Sequence, residues 1–345
     1  MIFSMALQFP PEVVICIVNH SLEHFDVFKT EIPHRPRYAT LKNYSIINST
    51  WMAISQPLLY ESVVLQTPGA LARFADAGKR AGGTMKGVKA MRISEAGREG
   101  VVEEVLSCVR GSLEGLFIAM LGIDVDELVR LERLRRLSIL ICDVYGSPNS
   151  QSFQFRHLHH LDAMSSSLPS CLMSPKSVPA LRQFDTSAVA LTYDKLRPLF
   201  PQLQACHIDD NRPLYEKLLP HAKSLLLLHL DSDSNKVLAL SQLPFTPRFI
   251  WTRNGSPASI IAMLKERVES KESKPEGIFF PRIEFSAAID RGGRAVVIDE
   301  IAPLVHALSA RGVNAVFAVT NHDDAIETMN AVIRAKERGV AYKWY

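Results

Sequence analysis

Apolar residues along this chain follow two rhythms. From residue 88 a six-position phrase, apolar-x-x-apolar-x-apolar, returns again and again. It reads Val88, Met91, Ile93, then Leu113, Leu116, Ile118, then Leu134, Leu137, Ile139, then Leu158, Leu161, Ala163. It continues through Leu181, Phe184, Thr186, through Leu203, Cys206, Ile208 and through Leu225, Leu228, Leu230, with first positions 21–25 residues apart. Looser copies stand at Phe245, Arg248, Ile250 and at Phe280, Ile283, Phe285. The last two apolar places of each phrase alternate as a strand does. Helical periodicity fills the gaps at Val101–Val109, Val125–Leu131, Tyr193–Phe200, Leu214–Leu219, Ser256–Val268 and Val296–Leu308. A last strand at Val313–Val319 leads to an amphipathic helix at Ala325–Glu337, a terminal cap.

A strand-plus-helix unit recurring at this interval resembles the leucine-rich repeat, whose period is about 20–29 residues. One such unit has an apolar side that it cannot bury alone, so the resemblance implies stacked repeats sharing one core. The family's Asn or Cys beyond the third apolar position appears only as Cys142 and Asn211, which implies an irregular stack. The (β/α)₈ barrel is the structural rival, with longer units on average.

The first 66 residues read differently. Phe9-Pro10-Pro11-Glu12-Val13 opens a helical pattern through Val18, with the two prolines at positions that need donate no N–H. Glu23–Ala39 reads as a loop, with a second helix over Leu41–Asn48, a third over Trp51–Leu59 and a strand over Tyr60–Leu65. The opening phrase and the later Ser45-Ile46-Ile47-Asn48-Ser49-Thr50-Trp51 resemble the F-box as written in fungal F-box-like proteins. The resemblance implies a small helical unit that docks on the Skp-type adaptor of a cullin ubiquitin ligase. Phe9, Pro10, Val13, Ile17 and Leu41 would lie at the adaptor interface, while Ile47 and Trp51 hold the helices together. Such a unit is too small for a comfortable core of its own, so a partner completes it.

The fold class expected is therefore α/β: a helical F-box-like unit at 1–66, then an irregular leucine-rich-repeat-like solenoid at 67–345. Residues between the inward positions of each phrase would face the concave surface. The acids, histidines and aromatics gathered there make Asp162, Asp185, His207, Asp209, His229, Asp231, Phe249 and Trp251 the candidate substrate-binding set. Phe249 and Trp251 fit a core equally well. The two His-x-Asp phrases also offer competent metal ligands, yet a polar patch or turn caps explain them too, and no metal or other cofactor is assigned.

Composition narrows the function further. Of 345 residues 47% are hydrophobic and 22% charged, the make-up of a globular protein. The net charge of +3 and the absence of long like-charge runs argue against nucleic acid or a membrane as partner. Five scattered cysteines without a CxxC pair fit thiols of the cytoplasm or nucleus. The apolar start lacks a basic n-region and is broken by Pro10, Pro11 and Glu12, unlike a signal peptide. Gly82-Gly83-Thr84-Met85-Lys86-Gly87 and Arg291-Gly292-Gly293-Arg294 fit no phosphate-loop pattern and read as turns. His322-Asp323-Asp324 suits a helix start. No nucleophile elbow, HExxH or kinase set occurs. The expectation is a non-catalytic substrate receptor of an SCF-type ligase, bound to adaptor and cullin subunits and to a protein substrate. Its alternative is an interaction scaffold without a ligase link.

Overall fold

The computed structural model describes residues 9–21, 27–28, 34–94, 100–146, 154–187, 192–208, 214, 217–230, 248–252, 261, 264–265, 268–269, 277–279, 293–316 and 322–339. The chain forms two compact units, Met1–Ala180 and Leu181–Tyr345.

The first unit opens with helices α1 (Pro11–Ser21), α2 (His34–Ser45) and α3 (Ser49–Glu61). Strand β1 (Ser62–Leu65) follows α3 without a break. Next come α4 (Pro68–Arg80), β2 (Ala90–Ser94), α5 (Val101–Val109), β3 (Gly115–Ala119), β4 (Gly122–Asp124), α6 (Val125–Val129), β5 (Arg136–Leu140), β6 (Asp143–Tyr145) and β7 (His160–Met164). β1, β2, β3, β5 and β7 pair in that order, all parallel. The register aligns Val63 with Met91, Leu116, Leu137 and Leu161, so the second apolar place of each phrase forms one buried row.

Three strands of this unit end in the same way. Met120, Ile141 and Ser165 take left-handed backbone conformations with φ of 57°, 52° and 48°. Each turns the chain sharply, and the segments beyond pair again as the short parallel ladder of β4 and β6 and a bridge from Asp143 to Ser167. A β-branched residue is rare in this conformation. The next strand holds the turns: the amide N–H of Met120 donates to Leu140 O and that of Ile141 to Met164 O, both at 2.9 Å. Ser166 Oγ accepts from the amide of Cys142 at 3.1 Å and donates to Met164 O at 2.8 Å.

The second unit holds β8 (Gln183–Ser187), α7 (Tyr193–Leu196), β9 (Ala205–Ile208), β10 (Leu227–Leu230), β11 (Phe249–Thr252), β12 (Gly277–Phe279), α8 (Gly293–Ala310), β13 (Asn314–Val316) and α9 (His322–Glu337). The six strands among its described residues pair in sequence order and all are parallel. Strand alternation splits β11 between two cores. Ile250 joins Leu264, Ile278, Ile301, Leu308 and Val313 on one face. Phe249 and Trp251 join Ala205, Leu227 and the α9 residues Ala325, Met329 and Val332 on the other.

This corrects the expected architecture. A solenoid with an open concave side needs strands with one exposed face. Here each unit is instead a parallel α/β sheet, an arrangement of the Rossmann-like and TIM-like kind rather than a helical leader followed by a solenoid. In the second unit α9 seals the face expected to be open. In the first, Phe117 on that face is fully buried, with the Arg92 guanidinium 4.1 Å from its ring centre. Phe28 lies over Gly115 and stacks with Arg136 at 3.8 Å. The helical leader is not a separate unit ahead of the sheet either. α3 runs directly into the edge strand β1, and Tyr38 of α2 donates its hydroxyl to Ser62 O at 2.5 Å. Burial, the largest cause, raises the Tyr38 phenol above its ordinary pKa.

Candidate docking surface and the predicted site residues

Three helices build the candidate surface. Pro11 opens α1, and Pro10 O accepts the amides of Val13 and Val14 at 3.0 and 3.1 Å. Helical spacing then puts Val14 and Val18 inward, where they form a core with Leu41 of α2 and Trp51 of α3. Ile17, Tyr44, Ile54, Leu58 and Leu59 pack round it. The Asn48 side chain caps α3, accepting from the amides of Thr50 and Trp51 at 2.9 and 3.1 Å. Tyr44 stacks at 5.0 Å on Trp51 and donates its hydroxyl to Ser21 Oγ at 2.9 Å, tying α2 to α1.

Several apolar residues lie outside this core. Phe9 is 36% exposed, Val13 40% and Ile15 44%. Ile46 and Ile47, in the turn before α3, and Met52 on α3 are exposed as well. Of the residues placed at the adaptor interface by sequence, Phe9, Pro10 and Val13 lie on the surface and Ile17 is half-buried. Leu41 is fully buried and props the helices from inside. Ile47, expected inside, is instead at the surface, because it stands past the end of α2.

The candidate substrate-binding residues fare otherwise. Register aligns Arg92, Phe117, Ser138 and Asp162 across β2, β3, β5 and β7. Half-buried Asp162 accepts from Ser138 Oγ at 2.9 Å. In the second unit Asp185 aligns with His207, and both are buried. His229 aligns with Trp251. Phe249 and Trp251 are core residues beneath α9, not exposed anchors. Asp209 and Asp231 lie outside the described residues, as do Arg291, Gly292 and the Phe280, Ile283, Phe285 phrase. Among the described residues no group of three or more His, Cys, Asp or Glu comes together to hold a metal ion.

Two thiols are held neutral by their surroundings. Burial first, and then the Asp185 charge, push Cys206 well above the ordinary thiol pKa. Burial also raises Cys142. Neither has the electropositive setting of a reactive cysteine. Among the described residues, no helix is long and apolar enough to cross a membrane. No family model matches the chain, and no curated protein matches it.

Proposed function

We propose that the chain is a non-catalytic substrate receptor of an SCF-type ubiquitin ligase, acting in the cytoplasm or nucleus. Its three N-terminal helices dock on a Skp-type adaptor joined to a cullin, and its α/β body engages a protein substrate. The observation that carries this reading is the pair of bare apolar residues Phe9 and Val13 beside the closed core of Val14, Val18, Leu41 and Trp51. Apolar side chains grouped at one helix are what a partner's groove takes up. Phe9 and Val13 belong to the phrase Phe9-Pro10-Pro11-Glu12-Val13 that resembles the F-box opening. The test mixes full-length folded protein with purified adaptor. A stoichiometric complex at micromolar concentration is expected; its absence overturns the proposal.

A second reading draws on the same core. Because Leu41 and Trp51 are sealed by α1 without help, the three helices also suit a plain cap on the sheet edge, in an interaction scaffold with no ligase link. Affinity purification from cells separates the two. Adaptor and cullin subunits accompany a ligase receptor and are absent from a scaffold's partners.

A further inference from the structure

We propose that a recess in the second unit binds a phosphomonoester group. The recess has a volume of about 460 Å³ and is walled by Asp194, Arg197, His221, Lys223 and three prolines. That is room for a phosphorylated side chain or a small phosphorylated metabolite, within the about 300–1,000 Å³ of ordinary ligand sites. This inference is separate from the docking surface and holds whether or not the chain belongs to a ligase.

The walls are stiff. Pro198, Pro201 and Pro220 fix backbone torsions on both sides, and the turn of 3₁₀-helix Leu219–His221 carries His221 into the wall. His221 is itself pinned: its Nε2 lies 2.7 Å from the Tyr193 hydroxyl. With Nε2 so engaged, Nδ1 is the ring's other polar atom. The Arg197 guanidinium sits 5.8 Å from the Tyr193 ring centre, so one tyrosine orders two of the three basic groups.

The chemistry of the set selects the ligand. Arginine offers a planar fork of donors, lysine a compact point charge and histidine a single N–H. A phosphomonoester presents a charge of about −1.5 to −2 and three strong acceptor oxygens, enough to engage all three. A carboxylate has two oxygens and a single charge, and leaves one of them unused. Arg197 and Lys223 are exposed, so they reach a ligand without first breaking a buried contact. Among the described residues Asp194 is the one acid on the wall. It opposes an anion, so its removal gives a test of opposite sign.

The experiment titrates the full-length protein with inorganic phosphate, phosphoserine, a phosphoserine peptide and its unphosphorylated twin, read by calorimetry. Saturable binding of the phosphorylated probes is expected, and none of the unphosphorylated peptide. Arg197→Ala and Lys223→Ala should each weaken binding about tenfold, the scale of a charge-assisted contact. Asp194→Asn should strengthen it a few-fold. Tighter binding of the peptide than of phosphoserine assigns the recess to a phosphorylated protein, and equal binding to a small phosphorylated molecule. The proposal is overturned if no phosphorylated probe saturates below about 10 mM, a generous ceiling for affinity. It is equally overturned if the Arg197→Ala, Lys223→Ala double variant binds as the parent does, or if Asp194→Asn weakens binding. Adaptor binding, measured on the same double variant, is expected to be unchanged.

Discussion

Val13 and Val14 are chain neighbours with opposite fates, and the contrast turns the proposed docking into a quantitative test. Val14 is fully buried, whereas Val13 is 40% exposed. Burying a valine side chain completely is worth about 1.5–3 kcal/mol. The uncovered part of Val13 therefore has about 0.6–1.2 kcal/mol left to give on docking. Phe9, with a similar exposed fraction, adds a comparable amount. Val13→Asp loses that gain and also strands a charge against an apolar groove, a further cost of about 2 kcal/mol or more. The sum predicts adaptor affinity at least about 100-fold weaker, since 1.4 kcal/mol is tenfold. Stability should shift by no more than about 0.5 kcal/mol, as at other surface positions. Val14→Ala should do the reverse. It opens a cavity beside Leu41 and Trp51 at about 2 kcal/mol of stability, between the costs of Ile→Val and Leu→Ala. Adaptor affinity should change little while the helices stay folded. Calorimetric titration with adaptor and urea unfolding of each variant supply the two numbers. Unchanged affinity in Val13→Asp would refute the docking argument. A large loss of stability in that variant would show that Val13 belongs to the core.

Three further outcomes follow from the packing. Gly115→Ala should destabilise by about 1–3 kcal/mol, because the added Cβ would stand 2.9 Å from Phe28 Cζ; combining it with Phe28→Ala in a thermal-melt double-mutant cycle should show strong coupling between the two sites. Ser165, exposed at φ 48°, should accept glycine with a neutral to stabilising effect of up to about 1 kcal/mol, while Ser165→Val should cost about 1–2 kcal/mol in urea unfolding. Cys206 and Cys142 have folded pKa values above the ordinary 9.0, so their contribution to stability is complete below pH 9.0 and drains away as pH rises through the folded values. The urea midpoint should therefore fall from pH 9 upward, and a flat profile to pH 10.5 contradicts the burial of these thiols.

The strands were legible because their apolar period is strong. The first two positions of the phrases from Val88 to Leu228 are all buried, and the third positions Ile93, Ile118, Ile139, Ala163 and Thr186 are too. Helix α5 falls on its expected span of Val101–Val109. Helix α4 passed unseen, although Thr67 caps it and Pro68 opens it, because its inward face uses Ala75 and Gly78 beside Leu71. Gly78 packs against Cys108 of α5 so closely that a Cβ would stand 2.4 Å from the sulfur, so small residues there are a packing demand. α2 begins at His34 within the stretch read as a loop, since Pro36 in a first turn permits a helix that a mid-helix proline would break.

The architecture was misread because alternation says which residues share a face, not what lies over it. Phe117, Phe249 and Trp251 carried the hint: large side chains on a face otherwise marked by acids and histidines. α9 covers Phe249 and Trp251, and Phe28 lies over Gly115 on the face that holds Phe117; both are remote in sequence from these strands, and no local period encodes that. At the candidate site, the opening Phe9-Pro10 phrase gives the surface residues; Ile47 lies at the surface because α2 ends at Ser45, and Leu41 lies inside because α1 and α3 close over it.

The order of strand pairing bears on how each unit is made. Within a unit every described ladder joins a strand to the one just before it in the parallel series, so each new strand finds a finished template waiting. Pairing with the preceding strand keeps each loop as short as a parallel ladder allows, which limits the closure entropy that slows parallel sheets. A nascent chain emerging from the ribosome meets the same sequence of events, with α1 to α3 and β1 available as the starting edge before anything downstream has been translated.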